Sequence, residues 1–207
     1  MPVNSQLRFR QNCQDLLSKL DQMQRANKKI IYLDEINFTK RSLSLREWSH
    51  KNSNLAVDQQ EVYRGYKSVI ASMTAENGMG CISAYPKAIN SLDFIEFLQK
   101  LRRKHVRRSI ALFMDNLAVH KSRDVQPYYE SLDITPVYNV GYSPEFNPIE
   151  AVFSKVKSIY NTRRLNCLVN KIGFNADNTI RFAFRTVSTD HCAACVRKSR
   201  HLLERAC

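Results

Sequence analysis

The sequence runs to 207 residues, 43% hydrophobic and 25% charged, with only 5 Gly and 6 Pro. That composition fits one globular unit able to bury a core and excludes collagen-like, low-complexity and solenoid-repeat chains. Its 32 Lys and Arg against 19 Asp and Glu leave a formal net charge of +13 at pH 7, so nucleic acid is the expected partner; a basic surface that only aids solubility or rests on anionic membrane is the alternative.

In chain order, residues 5–27 read as a polar helix with Leu16, Leu17 and Leu20 on one face, leading into the apolar run Ile30-Ile31-Tyr32-Leu33, which ends at Asp34. Segments near 42–48, 66–73 and 80–85 read as strands, the last two joined by Ala75-Glu76-Asn77-Gly78, whose Asn-Gly pair suits positive φ. Leu92, Phe94, Ile95, Leu98 and Leu101 fall at helical spacing over 91–104. A second apolar strand, Ile110 to Met114, ends at Asp115. Ser122 is placed to cap a short helix through Leu132, and Ile134 to Tyr138 makes another strand. Asn147, Pro148 and Glu150 then predict a capping box that opens a helix reaching Arg164. Residues 176–188 and 191–205 complete the chain as helices. This order predicts an α/β fold, a mixed sheet with helices packed on it.

Asp34 and Asp115 each follow a short apolar strand. If those strands are parallel neighbours, the two carboxylates emerge side by side where open α/β sheets place their sites. Two carboxylates so close repel each other, and a divalent cation reverses that. Oxygen ligands favour Mg2+ or Mn2+ over zinc. Glu150, at a helix start, is the candidate third acid, although the capping box alone also accounts for a Glu there. Glu35 and Glu145 are further possible ligands, but Glu35 points to the opposite face of a continued strand and Glu145 lies in a loop.

The words around these acids are specific as well. Tyr32-Leu33-Asp34-Glu35, Met114-Asp115-Asn116-Leu117-Ala118-Val119-His120-Lys121-Ser122 and Tyr142-Ser143-Pro144-Glu145-Phe146-Asn147-Pro148-Ile149-Glu150 resemble the three signature blocks of mariner-like transposases and their bacterial insertion-sequence relatives. Between Asp115 and Glu150 lie 34 residues, a spacing typical of one large branch of that superfamily. The resemblance implies a ribonuclease H-like fold in which Asp34, Asp115 and Glu150 bind two catalytic metals for cutting and joining DNA. It also implies a homodimer, because paired transposon ends need paired sites. The alternative is a catalytically inactive or domesticated DNA-binding protein derived from a transposase. Phe153 stands where these relatives usually carry a Trp.

Supporting roles fall to Asn116 and His120, which could orient a ligand, contact phosphate or hold the loop, a structural role being the simpler one for His120. Asn147 is expected to cap the helix and so fix where Glu150 points. Lys155, Lys157, Arg163 and Arg164, on that helix, are placed to meet phosphates. Lys100, Arg102, Arg103, Lys104, Arg107 and Arg108 read equally as solvated surface or DNA contact. Trp48, the single Trp, is a packing residue or a base-stacking one. Six scattered cysteines suggest reduced thiols, and the tail pattern His191, Cys192, Cys195, His201, Cys207 reads as thiols on a basic amphipathic helix, with zinc ligation as the alternative. The expected organisation is an N-terminal helix and linker over 1–29, a catalytic core over 30–165 and C-terminal helices packing on it over 166–207. The first 29 residues are too few for a pair of helix-turn-helix modules, so terminal-repeat recognition is expected from a separate or missing module. No apolar stretch approaches the roughly 20 residues that span a bilayer, and the N-terminus lacks a signal-peptide core. The expected location is the nucleus in a eukaryote, the cytoplasm or nucleoid otherwise, without secretion.

Overall fold

The computed structural model describes residues 3–38 and 67–207. The strand expected near 42–48 and Trp48 lie outside these residues. Five strands form one sheet in the order β3-β2-β1-β4-β5: β1 (Lys29–Phe38), β2 (Lys67–Thr74), β3 (Gly78–Tyr85), β4 (Ile110–Met114) and β5 (Ile134–Tyr138). β1 to β3 are an antiparallel meander, whereas β4 lies parallel to β1, and β5 parallel to β4. The crossover from β3 to β4 is α2 (Ser91–Lys104), and α3 (Gln126–Ser131) links β4 to β5. The remaining helices are α1 (Val3–Arg25), α4 (Pro148–Val169), α5 (Ala176–Arg185) and α6 (Thr189–Ala206).

The period-2 alternation of the strands sorts side chains onto two faces. Ile31 and Leu33 of β1 join Ile110, Leu112 and Met114 of β4 beneath Phe94, Phe97, Leu98 and Leu101 of α2. Ile36 and Phe38 of β1 turn the other way and pack with Val69, Ala71 and Met73 against α4, α5 and α6. On that same face Ala111, Phe113 and Val137 meet Cys13, Leu16 and Leu20 of α1. All five residues of β4 are buried, as a strand covered on both faces requires.

Several sequence expectations shift. β1 does not stop at Asp34: its antiparallel ladder with β2 runs from Tyr32 opposite Met73 to Phe38 opposite Lys67. The polar residues Asp34, Glu35 and Asn37 resemble a strand end, yet the ladder hydrogen bonds continue through them. The capping box expected at Asn147 is absent there and forms instead at Asn90, whose side chain accepts from the Asp93 amide while Asp93 returns the bond to the Asn90 amide. Ser122 makes no side-chain cap; a short 3₁₀ helix, Ala118–Lys121, precedes α3. Leu92 lies outside the apolar face of α2 and is exposed, and Phe97 is buried in its place. In the β2–β3 turn only Gly78 takes positive φ, at 69°, while the Asn77 amide donates to Thr74 Oγ1. Among the described residues no helix is long and apolar enough to cross a membrane.

These contacts set unequal costs along α2. Phe97→Ala, which empties a fully buried position, is expected to cost about 3–5 kcal/mol. Leu92→Ser is expected to change stability by less than about 0.5 kcal/mol. Urea unfolding of both variants checks the pair, and comparable losses from both would contradict the described helix face.

Candidate active site

The central parallel pairing places Tyr32 of β1 opposite Phe113 of β4. Two residues further along each chain, on the same face, stand Asp34 and Asp115. Asp34 is held within β1 and Asp115 emerges just past the end of β4. Glu150 approaches from the first turn of α4, which packs over β1. The three acids line one cleft of about 470 Å³, whose other walls are Asn116, Leu117, the loop from Asn139 to Pro144, and Asn147. A larger cavity of about 670 Å³ lies between α1, α6 and the β1–β2 region; its one acidic side chain is Glu76. Chemistry therefore singles out the smaller cleft.

Each wall has a physical anchor. Asp34 is buried; its Oδ1 accepts from the Glu35 amide at 2.7 Å and its Oδ2 accepts from Asn147 Nδ2 at 3.0 Å. The same Asn147 amide group donates to the Leu33 carbonyl at 3.1 Å. Asn147 does occupy the N-cap position of α4, since its carbonyl accepts from the Glu150 amide. Its side chain, however, is turned to β1 instead of the helix, which makes it the staple between Asp34 and the element carrying Glu150. The loop before it is tied down by Asn139, which donates to the Ser143 carbonyl at 2.7 Å and accepts from the Val140 amide at 2.8 Å. Asn116 donates to the Asn139 carbonyl and accepts from Lys121 Nζ, so its side chain braces the second block to the start of the loop that leads into the third.

His120 is fully buried. Its Nδ1 stands 3.0 Å from Asp115 Oδ1 and its Nε2 stands 3.7 Å from Glu35 Oε1. Phe94 covers the ring with centroids 4.5 Å apart, and the hydroxyls of Tyr129 and Tyr138 both donate to the His120 carbonyl. Glu35 thus points to the opposite face from Asp34, as expected, and does not line the cleft. Glu145 is exposed and does not line it either.

The electrostatics follow from this crowding. Burial, reinforced by the charges of Glu150 and Asp115, pushes the Asp34 carboxyl up to about 7, against the lowering effect of the Glu35 amide and His120. Burial and the Asp115 charge raise Glu150 as well, while Lys157 and the Asp34 hydrogen bond oppose them. Burial alone would lower His120, but its two carboxylate neighbours prevail and push it up to about 9. Among the described residues neither Asp34 nor Glu150 has a salt-bridge partner.

The basic residues divide by role. Arg164 is buried, with both terminal guanidinium nitrogens lacking a hydrogen-bond partner, and so is not a surface phosphate ligand. Its position on the inner face of α4 is what sequence charge alone could not reveal. Lys157 and Arg163 are exposed, Arg163 stacking over Phe182 at 4.3 Å, and Lys155 is half-buried. The other cluster is largely consumed by the fold: Lys100, Arg102, Lys104 and Arg108 donate to carbonyls of Ile82, Leu132, Gly80 and Asn27 respectively. Cys192 and Cys195 are buried in the core, where burial pushes the Cys192 thiol up to about 11. Among the described residues no three His, Cys, Asp or Glu side chains close around one point as a finished metal cage. The acids line an open cleft, and the tail Cys and His residues are strung along α6 and its end.

Residues 29–170 match the family model described as DDE superfamily endonuclease. No curated protein matches the chain. Among solved structures it is similar to the catalytic domain of Mos1 mariner transposase, at 14% identity and a TM-score of 0.66 over 100% of this chain and 93% of that one. The Mos1 catalytic domain with raltegravir and Mg gives 14% identity and 0.67 over 100% and 94%. The Mos1 strand transfer complex gives 14% and 0.68, covering 96% of this chain and 59% of that one, so the chain spans about three fifths of the Mos1 protein in that complex. The likeness is one of fold, a ribonuclease H-like mixed sheet flanked by helices. The family match extends across more than half the chain and takes in Asp34, Asp115 and Glu150: the chain belongs to the DDE superfamily of endonucleases.

Proposed function

We propose that this chain is the catalytic domain of a mariner-like transposase, a DNA endonuclease and strand transferase that works with Mg2+ or Mn2+ at Asp34, Asp115 and Glu150. The observation that carries this reading is the convergence of three carboxylates, from β1, the end of β4 and the start of α4, on one cleft. Their mutual repulsion suits a divalent cation: Asp34 and Glu150 are both raised by burial and neighbouring negative charge, and the donor set is oxygen alone. Bound there, a pair of such ions supplies activation of the attacking oxygen and stabilisation of the leaving one.

The chain's own residues do the rest. Asn147 and the Glu35 amide orient Asp34, His120 and the Leu117 amide hold one oxygen of Asp115, and the first turn of α4 presents Glu150. Lys157 and Arg163, exposed on the helix that Glu150 begins, are the side chains placed to neutralise DNA phosphates. The solved relatives include Mos1 paired-end and strand transfer complexes, which supports DNA as the partner and two copies as the working unit.

Purified protein is expected to nick supercoiled plasmid with Mg2+ or Mn2+, and Asp115→Asn and Glu150→Gln to lose at least about a hundredfold in rate, the scale of several kcal/mol of charge stabilisation. Because the Glu150 side chain makes no capping bond at the start of α4, the Gln variant should melt with the wild type. If all three proteins bind DNA and none nicks it, the chain is instead a transposase-derived DNA-binding protein.

Metal affinity should depend on pH. The Asp34 carboxyl holds its proton up to about 7 in the metal-free protein, and that proton must leave for a cation to bind. Mn2+ affinity is expected to rise by up to about tenfold per unit between pH 5 and 7 and to level off above. The folded chain also holds this proton more tightly than the unfolded one. Metal-free stability should therefore fall as pH rises from the ordinary carboxylate range to about 7. Calorimetric Mn2+ titrations at three pH values across that range, with Asp34→Asn as reference, test this; equal affinities throughout would overturn it.

A further inference from the structure

Asp34 and Glu35 are consecutive residues of β1, so their side chains leave the sheet on opposite faces. Asp34 lines the cleft. Glu35 lies on the other side, its side chain only 16% exposed, and its Oε1 has no hydrogen-bond partner. What it faces is the inner nitrogen of His120, likewise buried and without a hydrogen bond, 3.7 Å away. The outer nitrogen of the same ring contacts Asp115 Oδ1 at 3.0 Å. One imidazole therefore spans from a carboxylate behind the sheet to a carboxylate of the cleft.

Apart from the Asp115 carbonyl, 3.5 Å from Nδ1, these two carboxylates are the polar groups that face the ring. Phe94 stacks on it, and the Tyr129 and Tyr138 hydroxyls fix the His120 carbonyl, which pins the backbone of the 3₁₀ turn. These contacts leave rotation about the side-chain bonds as the ring's remaining freedom, and Glu35 is the group at its far end. Asp115 is half-exposed at the end of its strand, and its Oδ1 is already shared between the Leu117 amide at 3.2 Å and His120. An acid so placed has a defined orientation only while the ring stays put.

We propose that Glu35 is a positioning residue: through the buried ring of His120 it fixes the Asp115 carboxylate so that one oxygen is held and the other is directed to the cleft. The proposal rests on the reading of Asp115 as a site carboxylate. It gives the two neighbouring acids of β1 separate duties, Asp34 in the cleft and Glu35 behind it, and it accounts for a largely buried carboxylate on the sheet face that carries Ile31 and Leu33. A buried carboxylate facing a ring nitrogen is tolerated there because each offsets the other's loss of water.

The test compares wild type, Glu35→Gln and Glu35→Ala in three measurements: Mn2+ affinity by electron paramagnetic resonance, plasmid nicking, and metal-free crystal structures, with thermal melting as a folding control. Glu35→Ala is expected to lose about tenfold or more in Mn2+ affinity and in nicking rate, the range seen when groups that orient metal ligands are removed. Its Asp115 side chain should leave the wild-type rotamer. Glu35→Gln keeps an oxygen for the ring N–H and is expected to stay within about threefold of wild type. An Asp115 and His120 arrangement unchanged in folded Glu35→Ala overturns the proposal, whatever the nicking assay gives. Equal loss of melting temperature and affinity in both variants also overturns it, because burial alone would then explain Glu35. If wild type neither binds Mn2+ nor nicks, the functional reading fails, while the crystal structures still decide the role of Glu35.

Discussion

The parallel pairing of β1 with β4 is the constraint on which the site depends. It brings two carboxylates, Asp34 and Asp115, to one end of a sheet whose interior is otherwise apolar. Without a cation this is an unfavourable arrangement: burial and like charge together raise Asp34 into the neutral range. The fold tolerates it because the surrounding strands are locked by burial on both faces, so the cost of crowding the acids is carried by a core that cannot relax around them. A loosely packed sheet would let β4 slip and the acids part. The hydrophobic residues of β4, Ile110 to Met114, are in this sense part of the site.

Two polar residues, Asn147 and His120, connect this crowded pair to the rest of the molecule. Asn147 spans from α4 to β1, giving one amide group to both the Asp34 carboxylate and the Leu33 carbonyl. His120 touches Asp115, five residues before it, with one ring nitrogen and faces Glu35 of β1 with the other. The first bond sets where α4 begins relative to β1 and hence how far Glu150 stands from Asp34. The second sets the posture of Asp115. Both are side-chain bonds within the interior, where low exposure makes an unmade hydrogen bond expensive, and this is what converts a sheet edge into a defined cleft.

Much of this was legible from the chain. The apolar runs before Asp34 and Asp115 predicted two strands, and Asn147 followed by Pro148 placed Glu150 at a helix start, as found. What escaped was orientation. A period-2 pattern says which face a side chain takes but not what stands there, so Glu35 could be placed away from the cleft without its partner being visible. Asn147 followed by Pro148 and Glu150 has the local grammar of a capping box, but a tertiary partner, the Asp34 carboxylate, outbids the helix for the Asn side chain. Arg164 shows the same limit: charge counts treat every Arg on α4 alike, whereas helical phase turns this one inward while Arg163 faces out.

The same distinction governs what the net charge means. A total of +13 attracts polyanions from a distance, but attraction alone does not choose a face. Lys100, Arg102 and Lys104 of α2, and Arg108 after it, spend donors on the carbonyls of Ile82, Leu132, Gly80 and Asn27 respectively. A phosphate bound there would have to compete with bonds the fold already makes. On α4 the exposed Lys157 and Arg163 have no such carbonyl partners among the hydrogen bonds described, and Lys157 is close enough for its charge to be felt at Glu150. The cleft thus sets the negative charge of its acids beside an exposed positive charge on the same helix as Glu150.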